Sequence, residues 1–129
     1  MPGSERFIMK TILVIDDDKM NLDRDEYILQ QEGFNVVTAQ SGIEGISAMC
    51  EGGIDLVLLD IDMPEINGIQ TLKAIRAREE FSSIPVVFLT SIADFDHVKE
   101  AGRLGAVDYV RKPFRKQDLV DRVNKILGC

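Results

Sequence analysis

The chain has 129 residues, 45% of them hydrophobic, and 15 basic against 22 acidic side chains give a formal net charge of −7 at pH 7. Domains usually run to ~100–200 residues, so one compact unit is expected, and this apolar fraction excludes a disordered tail or a fibre. The acidic balance argues against direct nucleic-acid binding, because phosphate backbones are met by basic surfaces. The longest apolar runs, such as Ile12–Ile15 and Val86–Leu89, fall far short of the ~20 residues that span a bilayer. No basic stretch followed by a long apolar one opens the chain, so no secretory signal or membrane association is expected. Cys50 and Cys129 make no disulfide framework, and reduced thiols in a cytoplasmic protein are expected.

Residues 1–8, which include Pro2, Gly3 and Ser4, show no regular pattern and read as a disordered leader or N-terminal extension. The domain is expected to span residues 9–129, with Met9 just ahead of a first strand over Thr11–Ile15. A first helix follows over Lys19–Glu32, where Leu22, Ile28 and Leu29 form a thin apolar stripe and Gly33 supplies the stop. After a second strand, Phe34–Thr38, the segment Ser41–Glu44 has the S-x-x-E form of a capping box, with Ile43, Ile46 and Met49 behind it. The third strand, Ile54–Leu59, precedes a helix capped by Asn67 and carrying Ile69, Leu72 and Ile75. The fourth strand, Pro85–Leu89, precedes a helix marked by Val98, Ala101 and Leu104 that ends near Gly105. The fifth, Val107–Val110, precedes a helix with Leu119, Val123, Ile126 and Leu127, and Gly128 lies just past its end.

Strand runs alternating with helices imply βαβ units and a parallel sheet. Right-handed crossovers that cover both faces give a doubly wound α/β fold, (βα)5, with strand order 2-1-3-4-5. In such sheets ligands bind beyond the carboxyl ends of the strands, where the strand order reverses. Asp16, Asp17 and Asp18 follow strand one, Asp60 ends strand three, Thr90 ends strand four and Lys112 lies just past strand five. Asp16, Asp17 and Asp60 would therefore converge on one crevice, with Thr90 and Lys112 along its rim. Carboxylates crowded together repel and need compensation, either from a hard cation such as Mg²⁺ or from the Lys112 ammonium. A carboxylate beside a cation, an ammonium and a hydroxyl is suited to attack phosphorus and hold the acyl phosphate. Each residue alone reads more simply as turn or cap chemistry; their joint placement at four strand ends does not.

The segments Thr11–Asp17 (TILVIDD), Asp55–Gly68 (DLVLLDIDMPEING), Val87–Ser91 (VFLTS) and Gly105–Phe114 (GAVDYVRKPF) closely resemble response-regulator receiver domains of the single-domain chemotaxis type. The resemblance runs in motif order from about Met9 to the C-terminus and implies a flavodoxin-like fold. It also implies two-component signalling, in which a histidine kinase or phosphotransfer protein donates a phosphoryl group to a strand-three aspartate. By position Asp60 resembles the phosphoacceptor, and Asp16 and Asp17 the acidic pair that holds Mg²⁺ together with Asp60 and the Asp62 backbone carbonyl. Thr90 resembles the switch hydroxyl, Lys112 the phosphate-binding lysine and Tyr109 the switch aromatic, and Lys112–Pro113 matches a peptide bond usually cis in the family. Asp62 and Ile92 match positions that tune the lifetime of the phosphoryl group. The resemblance further implies no enzyme of the ordinary kind, only a domain that assists its own phosphorylation and autodephosphorylation. Output is expected through a protein partner or a homodimer on the face of the fourth helix, fifth strand and fifth helix, including Phe95, His97, Arg103, Lys116 and Arg122.

Two other readings compete. Asp60–Ile61–Asp62 has the D-x-D form of haloacid-dehalogenase-like phosphatases, although Pro64 stands where that motif wants Thr or Val and the acidic pair precedes the nucleophile. A non-phosphorylated docking module is the second. Asp18 reads as an N-cap of the first helix, His97 as a solvated helix residue, Met63 as loop packing and Cys50 as a helix residue without redox meaning. Arg111 should face away from Lys112, since alternate strand residues point to opposite sides.

Overall fold

The computed structural model describes residues 9–61, 68–91, 99 and 102–128. Its strands are β1 (Thr11–Ile15), β2 (Asn35–Ala39), β3 (Leu56–Asp60), β4 (Val86–Ser91) and β5 (Asp108–Lys112). They form one parallel sheet in the order β2-β1-β3-β4-β5. The helices are α1 (Lys19–Gln31), α2 (Gly42–Cys50), α3 (Gly68–Arg76) and α4 (Lys116–Leu127), with a short 3-10 turn at Glu79–Phe81 before β4. Of the helix expected around Val98 and Leu104, the described residues Lys99, Gly102 and Arg103 are helical. Val98, Ala101 and the expected cap Asn67 lie outside the described residues.

Period-two alternation along the strands divides the core into two layers. Leu13, Ile15, Val57, Leu59, Val86 and Phe88 face α2 and α3, where Met49, Ile69, Leu72 and Ile75 meet them. Ile12, Val14, Leu56, Leu58, Val87, Leu89 and Val110 face α1 and α4, packing on Leu22, Ile28, Leu29, Leu119, Val120 and Val123. β1 and β3 are therefore apolar on both sides, as strands of a doubly covered parallel sheet must be.

The helix ends follow from local chemistry. The Asp18 carboxylate accepts from Met20 N at 2.9 Å and caps α1, as its place in the sequence implied. Ser41 Oγ accepts from Glu44 N at 3.1 Å, while the Glu44 carboxylate reaches back to Gln40 N at 2.9 Å. Gly128 closes α4 in the left-handed conformation at φ 73°, which glycine adopts without a Cβ clash. Gly68 starts α3 hard against the end of β3. A Cβ there would lie 2.4 Å from Asp60 O and 2.6 Å from Ile61 Cα, so only glycine admits this approach. Gly68 N donates to Ile61 O at 2.9 Å across the same contact, which seats α3 directly behind Asp60.

Candidate functional site

Strand alternation builds the site. The parity that turns Val14, Leu58 and Val110 toward α1 and α4 carries on to Asp16, Asp60 and Lys112 at the carboxyl ends of β1, β3 and β5. The ladder runs one residue past β1, with Asp16 N donating to Ala39 O at 3.0 Å, so Asp16 keeps the strand's direction. Asp16 and Asp60 are buried, at 0% and 4% exposure, whereas Asp17 is exposed. Carboxylate oxygens of Asp16, Asp17 and Asp60 all lie within 4.8 Å of one another.

One ammonium spans the two buried carboxylates: Lys112 Nζ is 3.0 Å from Asp60 Oδ1 and 3.6 Å from Asp16 Oδ2. Burial pulls the Lys112 pKa down, but Asp60, through its charge and its hydrogen bond, and then Asp16 and Asp25 overcome that pull and leave it raised. Asp16 Oδ1 accepts from Asp18 N at 2.9 Å. Asp16 Oδ2 is buried without a hydrogen-bond partner. Clustered hard oxygens with one orphaned atom fit a Mg²⁺ ion, which takes one or two carboxylates plus water and phosphate oxygens.

Thr90, 1% exposed on β4, lies one residue beyond Leu89, the register partner of Asp60. Tyr109 on β5 is exposed. Arg111 is exposed and Lys112 only partly so, as alternation requires, and the Lys112–Pro113 peptide is cis. Arg103 and Lys116 are exposed, while Arg122 is engaged within the chain. Its guanidinium pairs with Asp108 Oδ1 at 2.5 Å and donates to Tyr109 O at 2.9 Å, pinning β5 to α4. Asp62, Met63, Pro64, Ile92, Phe95 and His97 lie outside the described residues.

Sequence reasoning missed Asp25 on α1. It is fully buried, with Oδ1 accepting from Arg24 Nε at 3.2 Å and Nη2 at 3.1 Å and Oδ2 without a partner. Its signal was present: Asp25 stands three residues after Leu22 and three before Ile28, within the apolar stripe itself. Burial pushes its carboxyl pKa upward against the pull of the Arg24 guanidinium; Asp16 adds to the rise and Lys112 opposes it.

Comparison with known proteins agrees with this geometry. Residues 12–124 match the family model described as "Response regulator receiver domain". The chain belongs to the response regulator receiver family. It is 41% identical over 120 residues to the transcriptional regulatory protein CpxR of Escherichia coli (strain K12), covering 92% of this chain and 50% of that protein. It is 37% identical over 119 residues to the response regulator SaeR of Staphylococcus aureus (strain USA300), covering 92% of this chain and 51% of that protein. The receiver domain thus spans about half the length of the curated relatives it matches. Among solved structures, a response regulator receiver domain protein from Clostridium thermocellum superposes with a TM-score of 0.87 at 34% identity, covering 93% of this chain and 95% of that one. The chemotaxis protein CheY4 of Vibrio cholerae gives a TM-score of 0.87 at 25% identity, over 92% of this chain and 99% of that one. Neither the phosphatase nor the docking-only reading is favoured by these matches. No helix among the described residues is long and apolar enough to cross a membrane.

The buried Asp25 makes a pH prediction. With its pKa raised in the native state, Asp25 keeps a proton that the unfolded chain has already lost, so stability falls as pH rises from the unfolded value of 3.8 through the higher native one. Asp25→Asn removes that loss. Its melting temperature relative to the parent chain, followed by circular dichroism, should be higher at pH 7 than at pH 3; an offset that does not change with pH would contradict it.

Proposed function

We propose that the domain accepts a phosphoryl group on Asp60 from a histidine kinase or a phosphotransfer protein. The observation that carries this is the Lys112 ammonium 3.0 Å from Asp60 Oδ1, beside carboxylates that approach within 4.8 Å. An Asp60 oxygen attacks phosphorus, forming the acyl O–P bond as the P–N bond of a phosphohistidine, or the P–O bond of acetyl phosphate, breaks. The electron pair leaves with the donor. Lys112 then holds a phosphoryl oxygen in place of the carboxylate it pairs with now. Asp16, Asp17 and Asp60, with the Asp62 backbone carbonyl, would hold Mg²⁺, which when bound neutralises charge on the phosphoryl oxygens. Autodephosphorylation reverses the bond: water attacks phosphorus, the acyl O–P bond breaks and the Asp60 carboxylate returns, at a rate tuned by Asp62 and Ile92.

Incubation with acetyl phosphate tests the acceptor. One phosphoryl group should be incorporated in the presence of Mg²⁺, and chelation or Asp60→Asn should lower incorporation at least ~100-fold. Phosphorylation of Asp60→Asn at the parent rate would refute the assignment, and fast turnover of acetyl phosphate with no phosphoprotein accumulating would favour the phosphatase.

Output is proposed to pass through Thr90 and Tyr109. A phosphoryl group brings Asp60 to about two negative charges and adds oxygens that need donors. Thr90 moves toward them, and Tyr109, now exposed, turns inward, which alters the face made by the helix that carries Arg103, by β5 and by α4. That face, with Arg103 and Lys116 exposed on it, meets a protein partner or a second copy of the domain. The change is a population shift between two packings. Beryllofluoride, which mimics the acyl phosphate, should shift amide resonances of Thr90, Tyr109 and the helix between β4 and β5 that carries Arg103. Shifts confined to Asp16, Asp17 and Asp60 would exclude this route.

A further inference from the structure

The acceptor site lies between two arms of chain. The β1–α1 turn carries Asp16 and Asp17, and the turn after β5 begins just past Lys112, at Pro113. Away from the carboxylate cluster, Arg24 and Phe114 join these arms. The Arg24 guanidinium on α1 lies 4.8 Å from the centroid of the Phe114 ring, within cation–π range. Phe114 sits two residues beyond Lys112 and packs, half-buried, on the core layer shared by α1 and α4.

Arg24 is not simply drawn there by the ring. Side chains of adjacent helical residues point about 100° apart, so a contact between them requires the longer one to curl around the helix. Arg24 does this, donating through both Nε and Nη2 to one oxygen of the fully buried Asp25. The planar fork is thereby fixed on one side by a carboxylate with no solvent exposure and covered on the other by Phe114. A buried carboxylate whose second oxygen has no partner is a costly residue to keep in an apolar stripe, where a leucine would fill the position without penalty. Its field also reaches Lys112 and Asp16.

We infer that Arg24 and Asp25 are positioning residues: with Phe114 they clamp the turn after β5 to α1 and so hold Lys112 at its distance from Asp60. The inference rests on the reading of Asp60 as acceptor. Asp25 anchors the guanidinium, the guanidinium holds the ring, and the ring sets where the main chain leaves Lys112. Loss of the clamp leaves Lys112 its charge but not its alignment, so the transfer step slows while the carboxylates that face Mg²⁺ are untouched.

The test uses Arg24→Leu/Asp25→Leu, which removes both charges together and strands neither, alongside Phe114→Leu and Phe114→Tyr. The leucine pair should melt at or above the parent temperature, yet acetyl phosphate labelling at saturating Mg²⁺ should slow about fivefold. Mg²⁺ affinity by calorimetry should stay within about twofold of the parent's, because Asp16, Asp17 and Asp60 are unchanged. Phe114→Leu should slow labelling to a similar extent and add nothing to the leucine pair, whereas Phe114→Tyr, which keeps the ring, should restore the parent rate. A stable leucine pair that labels at the parent rate, or slowing that multiplies when Phe114→Leu is combined with it, would overturn the clamp. Failure of the parent chain itself to label would instead overturn the acceptor reading on which it rests.

Discussion

Too little positive charge for too many buried carboxylates is the constraint around which this domain is arranged. Asp16, Asp25 and Asp60 are all buried, and Lys112 reaches two of them directly while sensing the third. Two like charges 4 Å apart repel by about 4 kcal/mol at an effective dielectric constant of 20, a sizeable part of the stability of a small domain. The sheet supplies the framework that bears this cost. β1 and β3 are covered on both faces, and the alternation that fills the core delivers Asp16, Asp60 and Lys112 to the same side. A site left electrostatically unfinished in this way has a ready use for a divalent cation and for an incoming phosphoryl group that changes the charge balance.

Most of this arrangement was legible beforehand because strand ends and strand order are simple geometry. Once strands one and three are neighbours, Asp16 and Asp60 must meet, and Lys112 follows from the fifth strand's exit. The strand limits were placed short: β3 runs to Asp60, β4 to Ser91 and β5 to Lys112, past the apolar runs that marked them. Ladder hydrogen bonds need no apolar side chain, so polar functional residues remain inside the sheet and inherit its rigidity. That rigidity, in turn, fixes which side of the sheet each one faces.

What was not legible depends on contacts across elements. Arg122 belongs to the expected output face, but its guanidinium is paired there with Asp108 on β5. Asp25 thins the stripe of α1, a weakness read as poor amphipathicity when it was a charged residue placed deliberately far from water. Its partner Arg24 is the next residue in the chain, and neither residue number nor periodicity says that Phe114, ninety residues later, closes over the pair. Local pattern locates elements; partners brought together by the fold decide which charges are spent and which remain available.

The Lys112 ammonium holds the Asp16–Asp60 pair together, and a bound Mg²⁺ would take over part of that work. Thermal unfolding of the parent chain and of Lys112→Met, each in metal-free buffer and in saturating Mg²⁺, tests it most directly. Without metal, Lys112→Met should be destabilised by about 2–4 kcal/mol, since it takes from two buried carboxylates the ammonium that lies between them. Mg²⁺ should then raise its melting temperature by more than it raises that of the parent chain. A Lys112→Met variant as stable as the parent in metal-free buffer, or one gaining no more than the parent from Mg²⁺, would contradict the role assigned to this lysine.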